Sequence, residues 1–123
     1  MKNFINYALK VTAATAVIAG ATAANAAVDF GKPGEKVDLV IGYQPYYTES
    51  WTGVVNNGKA FWKKHLPAGS TAEFQVGLQG SVIVNAMAGE KQHIGYMGDM
   101  PAIASTFKYL PERGGTDIRI VAA

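Results

Sequence analysis

From Val37 onward, short runs rich in β-branched residues alternate with longer runs in which apolar residues recur at helical spacing. That alternation restricts the fold more than any other feature of the chain. Val37 to Tyr43 predicts a first strand. Ser50 is placed to cap a helix in which Trp51, Val54, Val55, Phe61 and Trp62 share a face. Lys63, Lys64 and His65 fall in its last turn, where cations offset the helix dipole, and Pro67 and Gly69 stop it. Ala72 to Leu78 predicts a second strand with Phe74, Val76 and Leu78 alternating. Gly80-Ser81 opens a second helix carrying Val82, Ile83, Ala86 and Met87, which Gly89 ends. His93 to Met97 predicts a short third strand. Asp99 is placed to cap a third helix, with Pro101 in its first turn and Pro111 closing it. Ile118 to Ala122 predicts a fourth strand.

Strands alternating with helices predict an α/β fold, a parallel sheet with helices on both faces. Ligands of such sheets bind outside the carboxyl ends of the strands, near a topological switch point. Three loops leave those ends: Gln44 to Ser50, Gln79 to Ser81, and Gly98 to Pro101.

The length of 123 residues fits one domain, and 49% hydrophobic positions are too many for a disordered chain. The absence of Cys excludes a disulfide scaffold, a Cys-ligated zinc site and an iron–sulfur protein. Residues 1–26 read as a secretory signal peptide. Lys2 and Lys10 precede the uncharged stretch Val11 to Ala24, and Ala24-Asn25-Ala26 supplies a cleavage site. The apolar run is too short and too rich in Ala for a membrane span. No Cys offers a lipid anchor, so a periplasmic or secreted product starting at Ala27 is expected, stabilised by packing alone. Removing Lys2 and Lys10 reduces the 11 basic residues to 9, against 9 acidic ones. A neutral chain without a basic run carries no footprint for nucleic acid.

The three loops hold the candidate site. Gln44, Pro45, Tyr46, Tyr47 and Trp51 put an amide, hydroxyls and aromatic walls together, which suits a small organic ligand. The alternative is that these aromatics anchor the loop to the core, but consecutive Tyr46-Tyr47 cannot both face inward in extended chain. At Gln79-Gly80-Ser81, free N–H groups and a hydroxyl at a helix start can hold a polar or anionic group, or Ser81 can simply cap its helix. At Gly98-Asp99-Met100-Pro101, Asp99 either caps its helix or receives a ligand amine or hydroxyl. An anionic ligand is then disfavoured by like charge. His65 and His93 lack a third ligand at metal spacing and read as structural. No Gly-x-Ser-x-Gly elbow, phosphate-binding loop or His-Glu-x-x-His motif is present, and no nucleophile sits beside a base. No cofactor, no metal and no catalysis are expected.

Gly42-Tyr43-Gln44-Pro45 ends the first strand, and Gly80-Ser81 opens a later helix. Ala86-Met87-x-Gly89-x-x-x-His93-Ile94-Gly95-Tyr96-Met97-Gly98-Asp99-x-Pro101 follows. From about Val37 to Ala123 the chain resembles the solute-binding proteins of ABC importers. The nearest branch is the nitrate/sulfonate/taurine group, which includes binders of thiamine-precursor pyrimidines. The stretch Ala86 to Pro101 is the most specific part, whereas Tyr46, Tyr47 and Trp51 match no general motif of the group.

The resemblance implies a type II periplasmic-binding-protein fold, in which two hinged lobes close on a solute. Here residues 27–123 would form the first lobe and the second would be absent. It implies that the three loops line the cleft from that lobe. Its partners would be a small polar or anionic solute and a membrane permease, with the protein monomeric. Arg113 and Lys63-Lys64 are candidates for permease docking. Because the sequence stops at Ala123, in or just past a hydrophobic strand, it is expected to be the N-terminal piece of a longer protein. Its sheet edges would then lack partners. Two alternatives use the same cleft. One is a periplasmic enzyme in which Asp99 or Glu49 serves as acid or base and His93 reaches the cleft. The other is a sensor module that presents the bound solute to a receptor.

Overall fold

The structure, a computed structural model, describes residues 27–122. The segment read as a signal peptide lies outside the described residues, and no described helix is long and apolar enough to cross a membrane. The elements run β1 (Asp38–Tyr43), α1 (Trp51–Lys59), β2 (Thr71–Val76), α2 (Gly80–Ala88), β3 (Ile94–Tyr96) and α3 (Asp99–Lys108). The chain is α/β. Its three strands form an open parallel sheet in the order β2-β1-β3. Tyr43 lies level with Val76 on one side and Tyr96 on the other, so all three strands finish at the same end of the sheet.

Side chains alternate across a strand, and the two faces receive different helices. α1 lies against the face carrying Tyr43 and Tyr96. A Cβ added at Gly53 would come within 2.8 Å of the Tyr43 Cβ and 3.0 Å of the Tyr96 ring. α2 lies against the other face, where a Cβ at Gly95 would sit 2.6 Å from Ile83 Cγ2 and 2.8 Å from Met87 Sδ. Glycine at these two positions sets how closely each helix approaches the sheet. The core is thin. Among the described residues the buried large apolar side chains are Ile41 (1% exposed), Ile83 (0%) and Val84 (7%).

His93 ties the N-terminal lead to the sheet. Its Nδ1 accepts from the Val40 N–H at 2.9 Å. The ring proton therefore lies on Nε2, which donates to the Asp29 carbonyl at 2.8 Å. Phe30 packs edge-on against the imidazole, with ring centroids 5.3 Å apart.

Four sequence expectations are corrected. The helix expected to run from Trp51 to His65 breaks at Ala60, which adopts a left-handed conformation (φ 50°), and Phe61–Lys64 form a separate 3₁₀ turn. Asn56, Asn57 and Gly58 are weak helix formers, and the Asn56 carbonyl accepts the Ala60 N–H at 2.8 Å to close the helix. Ser50 and Asp99 do not cap helices as expected. No side-chain cap bond forms at Ser50, whose Oγ is buried without a partner. Gly98 occupies the cap position of α3, and Asp99 is its first helical residue. The second strand ends at Val76, and Val76 and Leu78 are exposed rather than buried.

Ile118 to Ala122 forms no strand. A 3₁₀ turn at Pro111–Arg113 and left-handed residues Gly114 (φ 74°) and Asp117 (φ 55°) redirect the chain, and no strand among the described residues lies alongside it. β-branched residues favour a pleated surface but cannot supply the neighbour that completes a ladder. Arg119 pairs locally with Asp117 and holds that carboxyl below its ordinary range.

Candidate functional site

The common finishing end of the strands brings the three loops together. β1 connects outward to β2, and the chain then crosses back to β3 on the opposite side. The loops after β1 and β3 therefore diverge around a gap, the switch point at which open parallel sheets hold ligands. Gln44, immediately after β1, bridges that gap. Its side chain is buried, and its Oε1 accepts the Gly98 N–H at 3.3 Å.

A cleft of about 290 Å³ opens above this bridge. Gln44 and Tyr47 line it from the first loop, Gln79 and Gly80 from the second, and Gly98, Asp99 and Pro101 from the third. Each loop that the alternation pattern singled out contributes. The volume is at the low end of the range for small-molecule clefts.

Two helix starts converge here. Gln79 precedes α2 in extended conformation, and no side chain caps the helix. The Val82 N–H turns back to the Gln79 carbonyl at 3.0 Å. Ser81 lies one residue inside α2, exposed, and so does not cap it. The start of α3 is more occupied. Gln44 takes the Gly98 N–H, and Asp99 Oδ1 accepts the Met100 N–H at 2.7 Å. Asp99 is also favourably placed against the positive end of the α3 dipole. A Cβ at Gly80 would fall 2.7 Å from Pro101 Cβ, so the two helix starts touch at this glycine.

The cleft therefore offers an uncapped helix start, a carboxamide at Gln79, a phenol at Tyr47 and one carboxylate at Asp99. Among the described residues, Asp99 is the one charged residue lining it.

Four residues expected at the site lie outside its lining. Pro45 is half-buried in the first loop, and Tyr46 is 77% exposed. Ser81 lies behind Gly80 on α2, and Trp51 lines a separate cleft between α1 and the 3₁₀ turn. The extended chain expected here is a turn at Pro45 and Tyr46, and Tyr47, just beyond it, is the tyrosine that lines the cleft. His93, which the enzyme alternative required in the cleft, stands at the other end of β3 with both ring nitrogens engaged. The Lys63-Lys64 pair and Arg113 are exposed.

Two features carried no signal in the sequence reading. Gln92 is buried over Gly42, and its Nε2 donates to Gln75 Oε1 at 2.9 Å, extending to Glu73 through Gln75. Asn56 clamps the chain reversal after α1, its Oδ1 accepting the Trp62 N–H at 3.2 Å. The Asn-Asn-Gly run that ends α1 could have marked the second of these. Comparison of the chain with family models, curated proteins and solved structures found no match.

Proposed function

We propose that the cleft at the carboxyl end of the sheet reversibly binds a small polar or anionic organic solute. In this reading the chain is the first lobe of a type II periplasmic-binding-protein fold, the substrate-binding component of an ABC importer that delivers its solute to a permease. The observation that carries the reading is the convergence of all three strand-end loops on one cleft. An uncapped helix start, an amide and a phenol are in place there to make hydrogen bonds. Backbone N–H groups at a helix start can receive a sulfonate, carboxylate or nitrate oxygen without any Lys or Arg. Asp99 then selects against a small bare anion and favours a solute that also brings a donor. Closure of a second lobe over the cleft would exclude water, and no covalent step is needed.

Titration calorimetry of the full chain with taurine, ethanesulfonate, nitrate and a hydroxymethylpyrimidine tests this. One of the four should bind, and Tyr47→Ala and Gln79→Ala should each weaken it by about tenfold, the value of one good hydrogen bond or aromatic contact. Binding left unchanged by both substitutions would remove the cleft from the reading.

A further inference from the structure

A second cleft, larger than the one at the strand ends, lies between α1 and the 3₁₀ turn at Phe61–Lys64, with a volume of about 550 Å³. Trp51, Val55, Phe61, Trp62 and Tyr96 form its apolar walls. It exists because the chain reverses at Ala60. Had the helix continued, Phe61 and Trp62 would lie along the α1 axis instead of facing Trp51 and Val55 across a gap. The reversal is fixed by the two bonds of Asn56 already described, and a third bond carries it to the sheet. Asn56 Nδ2 donates to the Tyr96 hydroxyl at 3.5 Å. Thr52, Asn56 and His65 add polar groups to the lining.

Lysines are concentrated in the segment that forms this cleft, between Glu49 and Glu73. From Trp51 to Ala72 the chain carries Lys59, Lys63, Lys64 and His65 and no Asp or Glu. The Lys63 ammonium stands 5.5 Å from the centre of the Trp62 ring, which places a cation beside one wall of the cleft. Aromatic walls of this extent, half-exposed at Trp51, Val55 and Phe61, are costly to leave in water. A cation beside apolar walls fits a ligand with a ring at one end and an anionic group at the other.

We propose that this cleft is a second ligand site, separate from the one at the strand ends, for organic anions that carry an aromatic ring. The ring stacks among Trp51, Phe61 and Trp62, and the anionic group meets Lys63 and its neighbour Lys64.

Both Trp residues of the chain line this cleft, so tryptophan emission reports on it directly. The probe is 4-phenylbutyrate, with the neutral 4-phenylbutanamide as control. Phenylbutyrate should change the emission saturably, at least about fivefold more tightly than the amide, and the advantage should shrink in high salt. The exposed pair Lys63→Ala and Lys64→Ala should remove the preference for the anion without disturbing the fold. Val55→Ser should weaken both probes. Equal response to acid and amide, or a preference unaffected by the Lys substitutions, would overturn the proposal. So would emission that changes with protein concentration alone, which would assign the cleft to a second copy of the chain.

Discussion

The cleft at the strand ends and the cleft beside α1 are built in opposite ways. The first is the smaller and the more polar of the two, and it is a consequence of topology: parallel strands that finish together must send their loops to one end of the sheet. The second is aromatic and larger, and it is a consequence of one residue, Ala60, leaving the helical region. Fold-level regularity thus places the first site, and a local break makes the second.

The largest expected effect separates both clefts from the core beneath them. Ile83 is fully buried and packs against the Gly95 side of the sheet, so Ile83→Ala should cost about 3 kcal/mol in denaturant unfolding. With so few buried apolar side chains that loss should leave the chain largely unfolded. Phe107, exposed on α3, should change stability by under about 0.5 kcal/mol when replaced by Ser. Equal effects at the two positions would place the core elsewhere.

The next effect sharpens the first cleft. Gln44→Ala removes the acceptor for the Gly98 N–H and should cost about 1–2 kcal/mol while weakening solute binding. The aromatic cleft should be unaffected, as read by phenylbutyrate and tryptophan emission. Coupled losses at both clefts would mean that they are one site.

A smaller effect tests the break. Ala60→Gly relieves a left-handed alanine and should raise stability by about 0.5–1 kcal/mol, with the second cleft intact. Destabilisation instead would mean that the reversal is not held as described. The smallest effect lies at the exposed Asp117–Arg119 pair. Arg119→Ala should let the Asp117 carboxyl titrate back up to its ordinary range, followed by NMR, with no shift in thermal midpoint.

These contrasts also mark how far the sequence could be read. Gly80, Gly89, Pro101 and Pro111 punctuate the middle of the chain, and α2, β3 and α3 lie where those residues place them. From there the three loops and most of the first cleft follow, because strand ends and switch points are properties of the alternation itself. Ala60 by itself is illegible because alanine is the best helix former; the readable signal is the Asn-Asn-Gly run before it, whose Asn56 side chain binds the chain beyond the break. Ile118 to Ala122 misled for a related reason. Its composition suits a strand, yet a strand is defined by its neighbour, and none lies alongside. Tyr46 and Tyr47 could not be told apart by residue type, since only the loop path decides which one faces inward.

The most direct measurement is an amide NMR titration of the full chain with the four solutes named above. The account predicts that at least one of them shifts Gly80, Ser81 and Gly98 most strongly, while the amides of Trp51, Phe61 and Trp62 stay still. If none of the solutes moves those glycines, or if the shifts centre on α1, the cleft at the strand ends is not the solute site.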